Sequence, residues 1–378
     1  MNILAIGAKS DVPHNKFSGQ SIMFDGVMER LISEGNKVTV VDISPRFHKQ
    51  SVLFRGLDYV IVLAEVFWHL LTARYDVCYI TTAQSKKGFL RDNALVGLMR
   101  LFKVKVVGHQ YGANYHQLTD ALSDSGMRKL KRMLDYISVI IVEGEHMKSQ
   151  YSFLDGYENK VKVIPNGLPN VGKSALIPKV YMGDKPFMMY YLSNLIWSKG
   201  YFEVLQAVDM LVNKEGRDVK CVFAGKFMAS ADDMRPGISN KEDFDNFVED
   251  HHLADAVSYY PGMYGEQKDE MFARANVFLL PTYYINEGQP VSIIEAMAYG
   301  CVPIVTKYRH IPMMVTEENG CFVEAKKPDQ IARAIVALMD NSEVYAAKSA
   351  ACIHDYEEKF TFEKYASEVI YSMKLIVG

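Results

Sequence analysis

Two acidic residues, Glu287 and Glu295, flank Gly288, Gln289, Pro290 and Val291 within NVFLLPTYYINEGQPVSIIEAMAYGCVPIVT, residues 276–306. The apolar run before them reads as a strand ending at Pro281. Pro290 reads as the first residue of a helix, where a missing N–H costs nothing and a fixed φ already suits the turn. The stretch NEGQP then sets free backbone N–H groups and the positive end of a helix at a strand's carboxyl edge. Such a place suits an anion or a hydroxyl-rich ligand. Gly288 lets the backbone approach that ligand closely. Glu295 falls about one and a half turns into the helix, so the two carboxylates can reach separate parts of one extended ligand. Carboxylates accept hydrogen bonds from neighbouring hydroxyls, as on a sugar or a ribose.

Other segments offer competing chemistry. GLPNVGKS, residues 167–174, fits the phosphate-loop pattern G-x-x-x-x-G-K-[ST], and NKED, residues 240–243, mimics a guanine-recognition signature. A phosphate loop must open a helix, so that its N-terminus meets the phosphates. Here ALIP follows Ser174, and Pro178 interrupts a helix at that point. The run before NKED is the polar ASADDMRPGIS rather than a buried strand, and no D-x-x-G lies between the two motifs. Both facts count against a nucleoside triphosphatase, and Gly167 and Gly172 read instead as hinge glycines. The carboxylates of DFD, residues 243–245, are spaced to hold a divalent metal under a sugar diphosphate. They sit in NKEDFDNFVED, which reads as a solvated helix start. No G-x-G-x-x-G follows a strand, so a nicotinamide cofactor is unsupported, and none of the ten histidines has a metal-ligand spacing.

These residues need a scaffold. The chain of 378 residues suits two domains, with 49% apolar and 23% charged residues, as in a globular enzyme. NILAIG, KVTVVDI, DVCYITT, KVKVVGH, VIIVEG and KVKVIP read as strands alternating with helices. The rhythm breaks over a proline- and glycine-rich stretch. It resumes with FMMYYLS, VKCVFAG, AVSYYPG, NVFLLP and VPIVT. The expected fold class is α/β, with two Rossmann-like parallel-sheet domains facing across a cleft. The expected boundaries are 1–168 for an N-terminal acceptor-side domain and 169–186 for a hinge. Residues 187–357 form a nucleotide-sugar-binding domain, and 358–378 a C-terminal helix packing back on the first domain. Met1 leads straight into a strand with no leader pattern, and the stretch LDYVIVLAEVFWHLL is too short and polar to span a bilayer. Five scattered cysteines read as buried thiols. Residues 1–165 hold 21 basic and 16 acidic residues, against 21 and 29 in the remainder. The basic front half reads either as a surface for an anionic partner, such as a membrane, or as ordinary solvated charge.

With its context, the Glu287–Glu295 pair resembles the E-x7-E signature of glycosyltransferase family 4, retaining enzymes of the two-domain GT-B fold. The resemblance covers nearly the whole chain. It is strongest over EGQPVSIIEAMAYGCVPIV, with further likeness in LSNLIWSKG (192–200), VIPNG (163–167), VVGHQYG (106–112) and FSGQS (17–21). It implies that Lys199 neutralises the donor diphosphate and that Glu295 holds the ribose hydroxyls. It further implies that Glu287, with the backbone of Gly288, Gln289, Pro290 and Val291, holds the transferred sugar. His109 would face that sugar, and Gly19 would let the front loop approach the phosphates. Two positions depart from the pattern. Asn194 stands where the family usually has arginine, which removes a cation from the diphosphate site; either another basic residue substitutes, with Arg309 the candidate, or leaving-group stabilisation is weaker. Ser18 stands where a glycine pair is common.

The resemblance implies transfer of a sugar from a nucleotide-diphosphate sugar to an acceptor hydroxyl with retention, without a metal or other cofactor. The expected setting is cell-envelope or capsular glycan synthesis. Glycan or lipid-linked acceptors and no nucleic acid are expected as partners. The basic segment GMRKLKRMLDYI, with Arg128, Lys129, Lys131 and Arg132, would give peripheral contact with a membrane from the cytoplasm. A nucleotide-sugar epimerase and a non-catalytic nucleotide-sugar-binding subunit are the alternatives.

Overall fold

The computed structural model describes residues 1–10, 19–44, 46, 52–112, 115–168, 171–228 and 240–378. Ser18 and the ASADDMRPGIS run lie outside the described residues. The chain forms two compact units, Met1–Pro169 with Phe362–Gly378, and Asn170–Thr361.

In the first unit, β1 (Asn2–Gly7), β2 (Lys37–Asp42), β3 (Val77–Thr82), β4 (Lys105–Gln110), β5 (Val139–Val142) and β6 (Val161–Val163) form one sheet. Its order is β2-β1-β3-β4-β5-β6, with every pair parallel. Between the strands run α1 (Gly19–Ser33), α2 (Val52–Thr72), α3 (Lys86–Leu101), α4 (His116–Ala121), α5 (Asp124–Tyr136), α6 (Glu145–Lys148) and α7 (Tyr157–Lys160). A parallel sheet carries helices on both faces, so its strands are apolar at successive positions rather than at alternate ones. β3, VCYITT, is buried along its whole length for that reason. The helices α2, α3 and α5 share one core with Leu4, Ile6, Cys78 and Ile80. α1 covers the opposite face, over Ile3, Ala5, Val77 and Tyr79.

The second unit repeats the plan with β7 (Phe187–Leu192), β8 (Val219–Ala224), β9 (Val257–Tyr260), β10 (Val277–Leu280), β11 (Val302–Thr306) and β12 (Cys321–Val323). Its order is β12-β11-β10-β7-β8-β9, again parallel throughout. The helices are α8 (Tyr201–Asp209), α9 (Asn240–Asp250), α10 (Gly265–Arg274), α11 (Val291–Ala298), α12 (Pro328–Asp340) and α13 (Ser342–Lys359). The α/β class with two parallel sheets is thus present. β12 is the strand that the sequence did not announce; its CFV lies between Gly320 and Glu324, without the flanking alternation that marks the equally short β6 in KVKVIP.

The phosphate-loop lookalike has no helix behind it: none intervenes between Ser174 and Phe187. Residues 171–186 instead lie along the second unit. Leu176 N–H donates to Ala298 O at 2.8 Å, and the Lys179 ammonium donates to Phe272 O at 2.6 Å. The NKED and DFD motifs fall inside α9.

The last helix, α14 (Phe362–Val377), belongs to the first unit. It buries Ala366, Val369, Ile370 and Met373 on the face that α1 also covers. The Phe362 ring lies where a side chain at Gly26 of α1 would be, 2.6 Å from an ideal Cβ, so the glycine sets how close the two helices come. Arg30–Glu363 at 2.7 Å and Lys374–Glu34 at 3.1 Å flank the contact. These pairs are exposed and contribute little beside the apolar burial. Ile370→Ala is therefore expected to cost about 2–5 kcal/mol, read from urea unfolding followed by circular dichroism. An unchanged midpoint would mean that α14 does not stabilise this unit.

Candidate active site

In the second sheet β10 lies beside β7, although β8 and β9 separate them in sequence. Strand order reverses there, and the connections leave the two strands in opposite directions. In open parallel sheets the carboxyl ends at such a reversal form the ligand crevice. Lys199 follows β7 and Glu287 follows β10, so the topology alone brings both to this point.

The local backbone holds them together. Lys199 ends a tight 3-10 turn, Trp197–Lys199, and Gly200 turns the chain into α8 with φ 78. An ideal Cβ at Gly200 would lie 2.5 Å from Pro281 O, so the left-handed conformation and the close approach to β10 both demand glycine. Tyr283 N–H donates to Ser198 O at 2.7 Å and ties the two loops. Thr282 Oγ1 donates to Glu287 Oε2 at 2.8 Å, while Lys199 Nζ lies 3.5 Å from Glu287 Oε1. The two charged side chains are only 16% and 6% exposed. Lys199 also stands 5.3 Å from the centre of the Tyr284 ring. An ammonium has three donors, and Glu287 engages one of them at long range.

The helix α11 begins one residue later than the sequence reading put it. Pro290 is the N-cap, not the first helical residue, because its φ of −67 is helical but its ψ of 105 is extended. The N-cap residue makes no side-chain cap and Ile293 N–H donates to Pro290 O at 3.0 Å, which leaves the N–H groups of Val291 and Ser292 and the positive helix end available to an anion. Gln289 and Pro290 are buried, and Gly288 and Val291 partly so.

Glu295 lies buried within α11. Its Oε1 accepts from the Lys268 ammonium of α10. Burial raises the Glu295 pKa above the usual carboxylate range, and Lys268 opposes that rise. The second carboxylate oxygen leaves room for a hydroxyl donor. Thr282 and Lys268 are the residues that sequence reasoning missed. Thr282 directly follows the strand-ending Pro281, which was a usable signal; Lys268 had none.

A cavity of about 460 Å³ opens at the carboxyl ends of β10, β11 and β12, lined among others by Thr282, Thr306, Tyr308 and Gln330. It shares Thr282 with the Glu287 network and has the size of a small-ligand site. A larger groove of about 980 Å³ runs past Met188, Lys220 and Tyr260, and holds none of the predicted site residues. Asn194 is exposed just beyond β7. Arg309, with φ 47, lays its guanidinium 5.6 Å from the centre of the Tyr308 ring.

The two remaining residues lie in the first unit. Gly19 is exposed and opens α1. His109, near the end of β4, is fully buried. Its Nδ1 is 2.7 Å from the Tyr79 hydroxyl, and its ring stacks 4.2 Å from that of Tyr111, whose hydroxyl meets that of Tyr365 at 2.7 Å. Nε2 is buried without a hydrogen-bond partner among the described residues.

Residues 174–354 match the family model of glycosyl transferases group 1. The second unit carries the group 1 match. The whole chain is similar in fold to HepE of Anabaena, solved in complex with UDP, at 14% identity over 99% of this chain and 100% of that one, TM-score 0.72. Sucrose-phosphate synthase from Thermosynechococcus elongatus is similar at 16% identity over 100% of both chains, TM-score 0.74. A glycosyltransferase from Rickettsia africae is similar at 13% identity over 100% of this chain and 98% of that one, TM-score 0.74. A search of curated proteins finds no match. The group 1 match and the fold together support a GT-B glycosyltransferase. Among the described residues, no group of three or more histidine, cysteine or acidic side chains is placed to hold a metal ion.

The buried histidine gives a pH prediction. Burial lowers its pKa from 6.5 to about 3, so the fold keeps His109 neutral where the unfolded chain protonates it. Its contribution to stability is complete above pH 6.5 and is lost progressively as pH falls from there toward 3. His109→Asn should flatten that part of the stability–pH curve, measured by urea unfolding at a series of pH values. Identical slopes in the two proteins would contradict the neutral, buried state.

Proposed function

We propose that this chain is a retaining glycosyltransferase of the family 4 kind, which moves a sugar from a nucleotide-diphosphate sugar to an acceptor hydroxyl. The single observation that supports it most is the convergence of Lys199, the Thr282-bound carboxylate of Glu287 and the uncapped start of α11 at one strand reversal. In such a reaction positive charge grows at the anomeric carbon while negative charge grows on the departing diphosphate. Lys199 and the α11 N-terminus would face the diphosphate, with charge fixed in place before the reaction begins. Glu287 and the backbone from Gly288 to Val291 would take the hydroxyls of the transferred sugar. The free oxygen of Glu295 would take a ribose hydroxyl, with Lys268 balancing its charge. The UDP bound in HepE supports a uridine nucleotide as the donor's leaving group.

Cationic side chains and a helix end do for the diphosphate what a divalent ion does elsewhere, so the reaction is proposed to need no metal or other cofactor. The acceptor is proposed to be a glycan or lipid-linked sugar of envelope or capsule synthesis, handled at the cytoplasmic face of the membrane. Peripheral contact is proposed through α5, on which Arg128, Lys129, Lys131 and Arg132 are exposed.

Lys199→Ala should lower kcat by about a hundred- to a thousandfold, equivalent to about 3–4 kcal/mol, with an unchanged circular dichroism spectrum. The assay is nucleotide release in the presence of a glycan acceptor. Turnover at the wild-type rate would remove Lys199 from the reaction. Release that does not depend on any acceptor, with interconversion of the free donor, would point to an epimerase. Turnover is expected to persist in excess chelator; complete loss would overturn the metal-free mechanism.

A further inference from the structure

The helices α2, α3 and α5 cover one face of the first sheet, and their inner sides share a core that includes Val62, Val66 and Leu70 of α2. Having buried that side, α2 is apolar on its outer side too. Leu57, Val60, Phe67, Trp68 and Leu71 are exposed, with Val60, Trp68 and Leu71 at 61%, 65% and 57%. With the exposed Ala64 between Val60 and Phe67, they fall on one face of the helix and make one stripe along it. On the neighbouring α3, Leu90 and Leu101 are also exposed. Surface apolar residues scattered singly mean little, but a contiguous stripe of this kind marks a surface with a partner.

The charges around the stripe identify the partner's chemistry. α3 exposes Lys86, Lys87 and Arg100 beside its two leucines, and α5 continues the row with its own four cations. Of the acidic residues on α2, Asp58 is buried and Glu65 is paired with Arg46 at 2.6 Å. An apolar strip bearing a tryptophan and bordered by cations fits the boundary between the acyl chains and the headgroups of an anionic bilayer. A symmetric contact with a second copy would instead set the cations of both copies against each other. Among the described residues no helix is long and apolar enough to cross a membrane.

We infer that the outer stripe of α2 inserts into the interface of an anionic membrane, with Trp68 and Phe67 at headgroup depth and the α3 and α5 cations on the lipid phosphates. This deepens the peripheral contact proposed for α5 and rests on it, but does not need the transfer reaction.

The full chain is mixed at low salt with phosphatidylcholine vesicles and with phosphatidylcholine–phosphatidylglycerol vesicles. It should sediment with the anionic ones only, and Trp68 emission should be quenched by brominated acyl chains. Trp68→Phe, which leaves Trp197, should lose that quenching. The double variant Val60→Glu/Leu71→Glu changes exposed positions only; its melting temperature should hold while its vesicle affinity falls about tenfold or more. Lys129→Glu/Lys131→Glu should weaken anionic binding at low salt and leave the residual binding less dependent on salt. Anionic binding with Trp68 unquenched, and with the α2 variant bound as tightly as wild type, leaves the α5 contact and overturns the α2 insertion. No vesicle binding overturns both. A concentration-dependent dimer that the α2 variant abolishes, without vesicle binding, assigns the stripe to a second copy and also overturns the inference.

Discussion

Lys199 and Glu287 meet in a place where neither is well hydrated, and the second unit is built so that they can. Removing charges from water is costly unless each finds a fixed partner. Here the partners come from two loops that leave adjacent strands, β7 and β10. Gly200 passes against Pro281 in a conformation and at a distance that no side chain permits. The Tyr283–Ser198 hydrogen bond then locks one loop to the other. Thr282 satisfies the carboxylate oxygen that Lys199 does not reach. The ion pair is held by backbone geometry, and this leaves the ammonium's other donors for a ligand.

The same strand reversal gives the site its polarity. The uncapped α11 adds a second source of positive potential beside Lys199. The carboxylates stand to either side: Glu287 before the helix, and Glu295 within it, neutralised by Lys268. A ligand with a doubly anionic centre and hydroxyl-bearing ends matches this alternation of charge. A nucleotide sugar has that shape. The first unit by itself holds a buried histidine within a tyrosine cluster on one face of its sheet and the apolar and basic surface of α2, α3 and α5 on the other.

The α/β class was legible in the sequence because strands buried on both faces leave unbroken apolar runs, as in VIIV and VFLL. β12 was not legible, since CFV stands between Gly320 and Glu324 with no alternation around it, unlike the equally short β6 within KVKVIP. Gly288 and Pro290 announced the α11 loop because glycine and proline act locally. Proline fixes φ alone, however, so the helix start was misplaced by one residue. The partners of the site residues could not be read at all. Lys268 lies 27 positions from Glu295, and Tyr79 lies 30 from His109, and only the packing of whole elements brings such pairs together.

The central claim is that this electropositive corner recognises a diphosphate. Isothermal titration calorimetry of UDP and of uridine against the wild-type chain tests it most directly. UDP should bind at least about a hundredfold more tightly than uridine, since charge-assisted bonds to two phosphates carry the difference. Equal affinities for the two would show that the corner formed by Lys199 and α11 does not hold phosphate.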